Sequence, residues 1–205
     1  MHIKISPGNG KLGSIPSVSL PAGTTCVSGC ECSTKCYAKK LERMRPNVRD
    51  AYQHNYNILK ASPETYWREV EASIMMSRFF RFHVSGDIPD ATYFENIVSV
   101  AARNLHCEIL IFTKKYNIVN NWISSNGCSA FFLPGNLHVV FSAWRNFEIE
   151  NPYDLPVAHV RYKDGTTTAP NDANECPGNC SECVTTASGG CWDLGVGEHV
   201  VFNEH

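Results

Sequence analysis

Between residues 37 and 163 the apolar positions switch repeatedly between helical spacing and short, nearly unbroken runs. The first pattern marks amphipathic helices, and the second marks strands buried on both faces. After Cys36 the spacing is helical, with Pro46 either opening a second helix or kinking the first. Apolar and aromatic residues keep helical spacing over 48–60. Ser62, Pro63 and Glu64 then supply a capping hydroxyl, a first-position proline and a first-turn acid, which predicts a helix to about residue 78. The run FFRFHV at 79–84 is aromatic and β-branched and reads as a strand. Asp90 caps a helix over 91–104, followed by a strand over 108–113 and a short helix over 117–124. Further strands are expected over 137–142 and 157–162, with 17–20 as the first strand and 200–202 as the last.

Apolar strands alternating with helices imply a parallel sheet covered by those helices. Right-handed crossovers give either an open doubly wound sheet or a barrel-like arc. The expected fold is α/β, a partial (βα) barrel-like parallel sheet of five or six strands. From about residue 164 the rhythm dissolves into Gly, Thr, Asn and Cys. This divides the chain into a body over 1–163 and a Cys-rich, metal-organised segment over 164–205 packed on it. In parallel sheets reactive groups collect beyond the carboxyl ends of the strands. Here those ends carry His83, Ser85, Gly86 and Asp87, then Thr113 and Lys114, then Ser142, Trp144 and Arg145.

Composition narrows the setting. A chain of 205 residues can bury a full core, and its 43% apolar and 19% charged content is that of a globular protein. A net charge of −2 provides no long-range field for nucleic acid or an anionic membrane. The apolar runs are strand-sized and the first residues, MHIKISPGNGKLG, contain no signal-peptide core, so a cytoplasmic protein is expected.

In a reducing compartment clustered cysteines read as metal ligands rather than disulfides. Eight of the ten cysteines form two groups. One is Cys26, Cys30, Cys32 and Cys36 in TTCVSGCECSTKCYA; the other is Cys176, Cys180, Cys183 and Cys191 in ECPGNCSECVTTASGGCW. Cys107 and Cys128 stand alone and read as small hydrophobes. Paired Cys-x2-Cys knuckles would suggest structural zinc, but neither group has that form and neither loop contains His. All-thiolate loops with uneven spacing suit a [4Fe-4S] cluster, one or two per chain, with zinc as the alternative. The C-terminal four can saturate a cluster, and His199 and His205 are candidate neighbours. The N-terminal group supplies either four ligands or three, and both Cys26/Cys32/Cys36 and Cys26/Cys30/Cys36 stand open. Three would leave one iron free for a substrate or cofactor.

The blocks SLPAGTTC, CYAKK, FRFHVSGDIPD, FTKK, VVFSAW, CPGNCSEC and VVFNEH resemble the phage and plasmid gene product 88 family, which places the protein in the host cytoplasm if it is phage-encoded. A more distant resemblance is to radical S-adenosylmethionine enzymes, which place a cysteine loop after the first strand of a partial barrel. That resemblance implies cofactor contacts from Ser85, Gly86 and Asp87, with Asp87 on the amine of S-adenosylmethionine. Lys114 or Arg145 would hold an anionic group of cofactor or substrate. The expected function is therefore an iron–sulfur protein with redox or S-adenosylmethionine-dependent chemistry, its partner a small-molecule cofactor or a redox protein. The alternatives are a non-catalytic iron–sulfur carrier or regulator, and a zinc-stabilised nucleic-acid-binding module using Lys39, Lys40, Arg43, Arg45 and Arg49.

Overall fold

The computed structural model describes residues 2–185 and 189–204. Seven strands form one sheet in which every pairing is parallel: β1 (Ser17–Val18), β2 (Phe79–Phe82), β3 (Glu108–Thr113), β4 (Leu137–Ser142), β5 (Val157–Arg161), β6 (Asn174–Glu175) and β7 (His199–Asn203). The spatial order is β1-β2-β3-β4-β5-β7-β6, with β1 and β6 as the two edge strands, so the sheet is open; Ser6 adds an antiparallel bridge to Ser17 at the β1 edge. Among the described residues the helices are α1 (Tyr37–Met44), α2 (Pro46–Ala61), α3 (Pro63–Met75), α4 (Ala91–Arg103), α5 (Tyr116–Ser125) and α6 (Cys180–Cys183).

Pro46 opens a second helix; it does not kink the first. Pro63 occupies the first turn of α3, and Asp90 caps α4 by accepting the Tyr93 N–H at 2.9 Å. The sheet has seven strands where the sequence predicted five or six. The extra one is β6, two exposed polar residues that carry no apolar signal and exist only by pairing with β7. Strand β1 stops at Val18 because Leu20 leaves the ladder and donates its N–H to the Ser85 carbonyl at 3.0 Å.

Alternation along the strands assigns the two faces. Phe80, Phe82, Ile109, Ile111, Val139 and Phe141 share one core with Ile58 of α2, Trp67 and Val70 of α3, Phe94 and Ile97 of α4, and Val119 of α5. The opposite residues, Leu110, Val140, Ala158 and Val200, form a second core with Leu12, Ile15 and Trp192, against which Cys176, Cys180 and Cys191 pack. Strands added in sequence order with one crossover hand put the crossover helices on one face. The other face must be covered by something else. Here the cover is an N-terminal turn and the C-terminal cysteine segment, whose β6 and β7 also extend the sheet. No helix among the described residues is long and apolar enough to cross a membrane.

Candidate metal centres

The 26–36 loop follows β1 and is held by the carboxyl ends of almost every other strand. Ala22 N–H and the Ser85 hydroxyl both donate to Glu42 of α1, at 3.0 and 2.6 Å. The Thr25 hydroxyl accepts the Asp87 N–H at 2.9 Å, and the Tyr37 hydroxyl donates to the Val84 carbonyl. Farther along the sheet Asn146 donates to Glu31 at 3.2 Å, and Lys35 pairs with Glu204 beyond β7 at 2.9 Å. The loop thus spans the sheet edge. Gly86 sits beneath it at φ +82°, where a Cβ would lie 2.8 Å from both the Leu20 carbonyl oxygen and the Thr25 hydroxyl.

Within this loop Cys30 is buried, and Cys26, Cys32 and Cys36 are half-buried. Cys26 accepts the Gly23 N–H at 3.3 Å. Burial pushes the Cys26 thiol up, reinforced by Asp87 and Cys36 and opposed by Gly23 and Lys114. Burial likewise pushes Cys32 up to about 12, with Cys30 and Cys26 adding to it and Lys114 opposing. Cys26 and Cys32 therefore lie within electrostatic reach of the other two thiols, and both face the Lys114 ammonium. A bound metal reverses this balance, since coordination deprotonates the thiol outright.

Asp87 is 6% exposed and its carboxylate is heavily engaged. It accepts from the Thr113 hydroxyl at 2.6 Å, the Ile88 N–H at 2.8 Å and the Lys114 N–H at 3.0 Å. Burial raises its carboxyl above the usual range against the pull of those bonds. The structure thus brings Asp87 and Lys114 together with Cys26 and Cys32. Ser85 lies in the same place, with its hydroxyl committed to Glu42. Arg145 sits apart on the rim, paired with Asp164 at 2.8 Å and stacked over Tyr162 at 4.2 Å.

Sequence reasoning misses three contributors. Glu42 is a lone acid on the buried side of α1, Thr25 precedes the first cysteine, and Arg81 is a charge inside an apolar strand. Only Arg81 carries a visible signal.

The second group closes around α6. Cys176 donates its N–H to the Val201 carbonyl at 3.0 Å, and Cys180 donates to the Lys11 carbonyl at 2.8 Å. Asn179 caps α6 by accepting the Ser181 N–H at 3.1 Å. Gly190 adopts φ +58°, and a Cβ there would lie 2.9 Å from the Cys183 sulfur, so glycine lets the next turn close over that thiol. Cys176, Cys183 and Cys191 line a cleft of about 480 Å³, rimmed by Glu175, Glu182, Asp193 and Glu198. Burial pushes Cys191 up to about 12, with Cys176 adding to this and Arg81 opposing it. Burial raises Cys183 too, reinforced by Cys176 and Cys180. His199 is bound to His159 at 3.0 Å, and His205 lies outside the described residues. Among the described residues no three His, Cys, Asp or Glu side chains are grouped so as to hold a metal ion as they stand.

The family model described as Gene product 88 matches residues 3–174. The match takes in the N-terminal cysteine loop and ends just before Cys176, so the blocks CPGNCSEC and VVFNEH lie beyond it. No curated protein and no solved structure matches the chain.

Proposed function

The chain belongs to the gene product 88 family, and we propose that it is an iron–sulfur protein with a cluster site at each cysteine group. The observation that carries this reading is the convergence of the four-cysteine 26–36 loop on the strand ends, with Cys26 and Cys32 beside Lys114 and the Asp87 N–H bound to Thr25. The donor set fits the group. It is all sulfur, which selects iron–sulfur clusters or zinc, and its uneven spacing departs from zinc knuckles. The thiols are not grouped tightly enough to hold an ion as they stand, so loading would couple to local folding, as metal binding commonly does.

Bound at these sites, [4Fe-4S] clusters supply one-electron transfer, and an iron lacking a fourth thiolate supplies an open coordination position. The chain's own residues set the surroundings. Lys114 places a cation beside Cys26 and Cys32, Glu42 and Thr25 fix the loop, and Asp87 locks the end of β2 to the end of β3. The basic residues Lys39, Lys40, Arg43, Arg45 and Arg49 lie on exposed faces around α1 and α2, as a solvated surface would place them.

A second reading, S-adenosylmethionine-dependent chemistry, draws on one observation. The first five strands are added in sequence order, as in a barrel-like arc, with the cysteine loop after the first. In that reading three N-terminal thiols hold the cluster, and Ser85, Gly86 and Asp87 face the cofactor.

Anaerobically purified protein should contain about eight iron atoms per chain, four for each cubane. Cys191→Ser and Cys36→Ser should each remove about half. Stoichiometric zinc without iron overturns the proposal. Adding S-adenosylmethionine and dithionite separates the readings: a shifted EPR spectrum with release of 5′-deoxyadenosine supports the second, and a silent spectrum leaves an electron carrier or regulator.

A further inference from the structure

Arg81 stands on the face of β2 that the C-terminal cysteine segment covers. The register pairs it with Ser17 of β1 and Leu110 of β3. Its guanidinium lies 4.8 Å from the centroid of Phe112, and its Nε is buried without a hydrogen-bond partner. Among the described residues no carboxylate forms an ion pair with it. Two positions earlier on the same face Phe79 meets Trp192 edge-to-face at 5.3 Å, and Trp192 directly follows Cys191. In the other direction the chain reaches Val84, whose carbonyl accepts the Tyr37 hydroxyl, and Tyr37 directly follows Cys36. Phe79 and Phe112, which flank Arg81 on this face, pack against the same apolar cluster as Cys176, Cys180 and Cys191.

Arg81 is half-buried, but its Nε is buried and unpaired, and a desolvated part of a charged group without an anion needs compensation. Cation–π contact with Phe112 offsets only part of that cost. The missing negative charge is what a thiolate-ligated cluster brings. We infer that Arg81 is the fixed counter-charge of the iron–sulfur sites and raises the reduction potential of the C-terminal one. This rests on the iron–sulfur reading above and adds a named residue with a measurable role. Reduction adds one electron to a group that is already anionic, so a neighbouring cation stabilises the reduced form more than the oxidised form.

The test is an EPR-monitored anaerobic redox titration with dithionite as electron donor, the C-terminal signal being the one that Cys191→Ser abolishes. Arg81→Met keeps an apolar stem over Phe112 and removes the charge, while Arg81→Lys keeps a charge. The Met variant should shift the reduction equilibrium roughly tenfold toward the oxidised form, ~59 mV lower for a one-electron couple, and Lys should restore most of it. A Met variant that loses iron while the Lys variant retains it also supports the inference. Full iron with an unmoved midpoint in Arg81→Met overturns it, and so does equal iron loss in both variants, which would reduce Arg81 to packing. Wild-type protein free of iron overturns the iron–sulfur reading itself, a result distinguishable because it precedes any variant.

Discussion

Gly86→Ala tests whether the turn after β2 is the foundation of the cysteine loop. Gly86 has φ +82°, a conformation that costs an L-residue about 1–2 kcal/mol, of which about 0.4–1 kcal/mol is recovered through reduced freedom of the unfolded chain. Its new Cβ would also meet the Leu20 carbonyl oxygen and the Thr25 hydroxyl at 2.8 Å and the Leu20 Cβ at 2.9 Å. Two of these three contacts belong to Leu20, and one is backbone, so relief requires the chain to move. Overpacking of this kind adds about 1–3 kcal/mol.

Gly165 is the matched control. It has φ +81° but nothing within 4 Å of a Cβ, so Gly165→Ala carries the conformational cost alone. The expected losses are about 1 kcal/mol for Gly165→Ala and about 3 kcal/mol for Gly86→Ala, read from urea midpoints at unchanged slope. Displacing Leu20 and Thr25 also loosens the hydrogen bonds to Ser85 and Asp87, so thiol alkylation in the 26–36 loop should accelerate only in Gly86→Ala. Equal midpoints for the two variants, with equal alkylation rates, would refute the reasoning.

Two further outcomes concern the core. Burial pulls His83 down to about 3 and His159 down to about 4, with Arg81 and His199 respectively adding to the effect. The unfolded chain therefore binds more protons than the folded one below its ordinary histidine pKa of about 6.5, and this stability is present above that value and lost as pH falls toward the folded values. His83 alone gives a slope of about 1.4 kcal/mol per pH unit; urea midpoints between about pH 5 and 6.5 should fall on acidification, less steeply in His159→Gln, and a flat profile contradicts this. Asn136 uses its amide to donate to the carbonyls of Cys107, Asn104 and Ala101 at 2.8, 3.0 and 3.1 Å, closing the end of α4. Asn136→Ala removes this donor, while the Asn104 and Cys107 N–H groups still serve the Ala101 and Asn104 carbonyls; the cost should be about 2 kcal/mol, lowering Tm by roughly 4–8 °C, and a drop under about 2 °C would show that water replaces the amide.

Local signals carry most of the helical layer. Asp90 as a cap and Pro63 as a first-turn residue mark the starts of α4 and α3, because such signals act within one turn; Ser62, expected as a capping hydroxyl, instead donates to the Thr65 hydroxyl at 2.8 Å. The apolar runs of β3 and β4 match their observed bounds for a similar reason, since burial on both faces leaves an unbroken apolar run. The insertion of β7 between β5 and β6 is not legible, because pairing partners far apart in sequence leave no periodicity. At the strand ends, residue type identifies where polar groups gather but not what each one holds. The distant resemblance implies a cofactor contact from Ser85 and Asp87; in the structure Ser85 binds Glu42, and Asp87 binds Thr113 and Lys114. A hydroxyl and a carboxylate suit ligand binding and loop anchoring equally, and only the neighbours decide.

The strand order ties the two cysteine groups into one arrangement. With every crossover helix on one face, the opposite face of β2, β3 and β4 is left for segments outside the repeating βα pattern. The C-terminal cysteine segment takes that face, and the N-terminal loop takes the carboxyl edge of the same strands. The two groups are therefore linked along β2, whose Phe79 meets Trp192 beside Cys191 while the turn beyond the strand carries the N-terminal loop. The groups lie far apart in sequence and are linked through one strand, so a change on β2 should be felt at both. The extent of the family match has a corollary here: the shared region contains Arg81 and the N-terminal loop but ends before Cys176. The matched region takes in β2 and the loop it carries, while the C-terminal cysteines lie outside it.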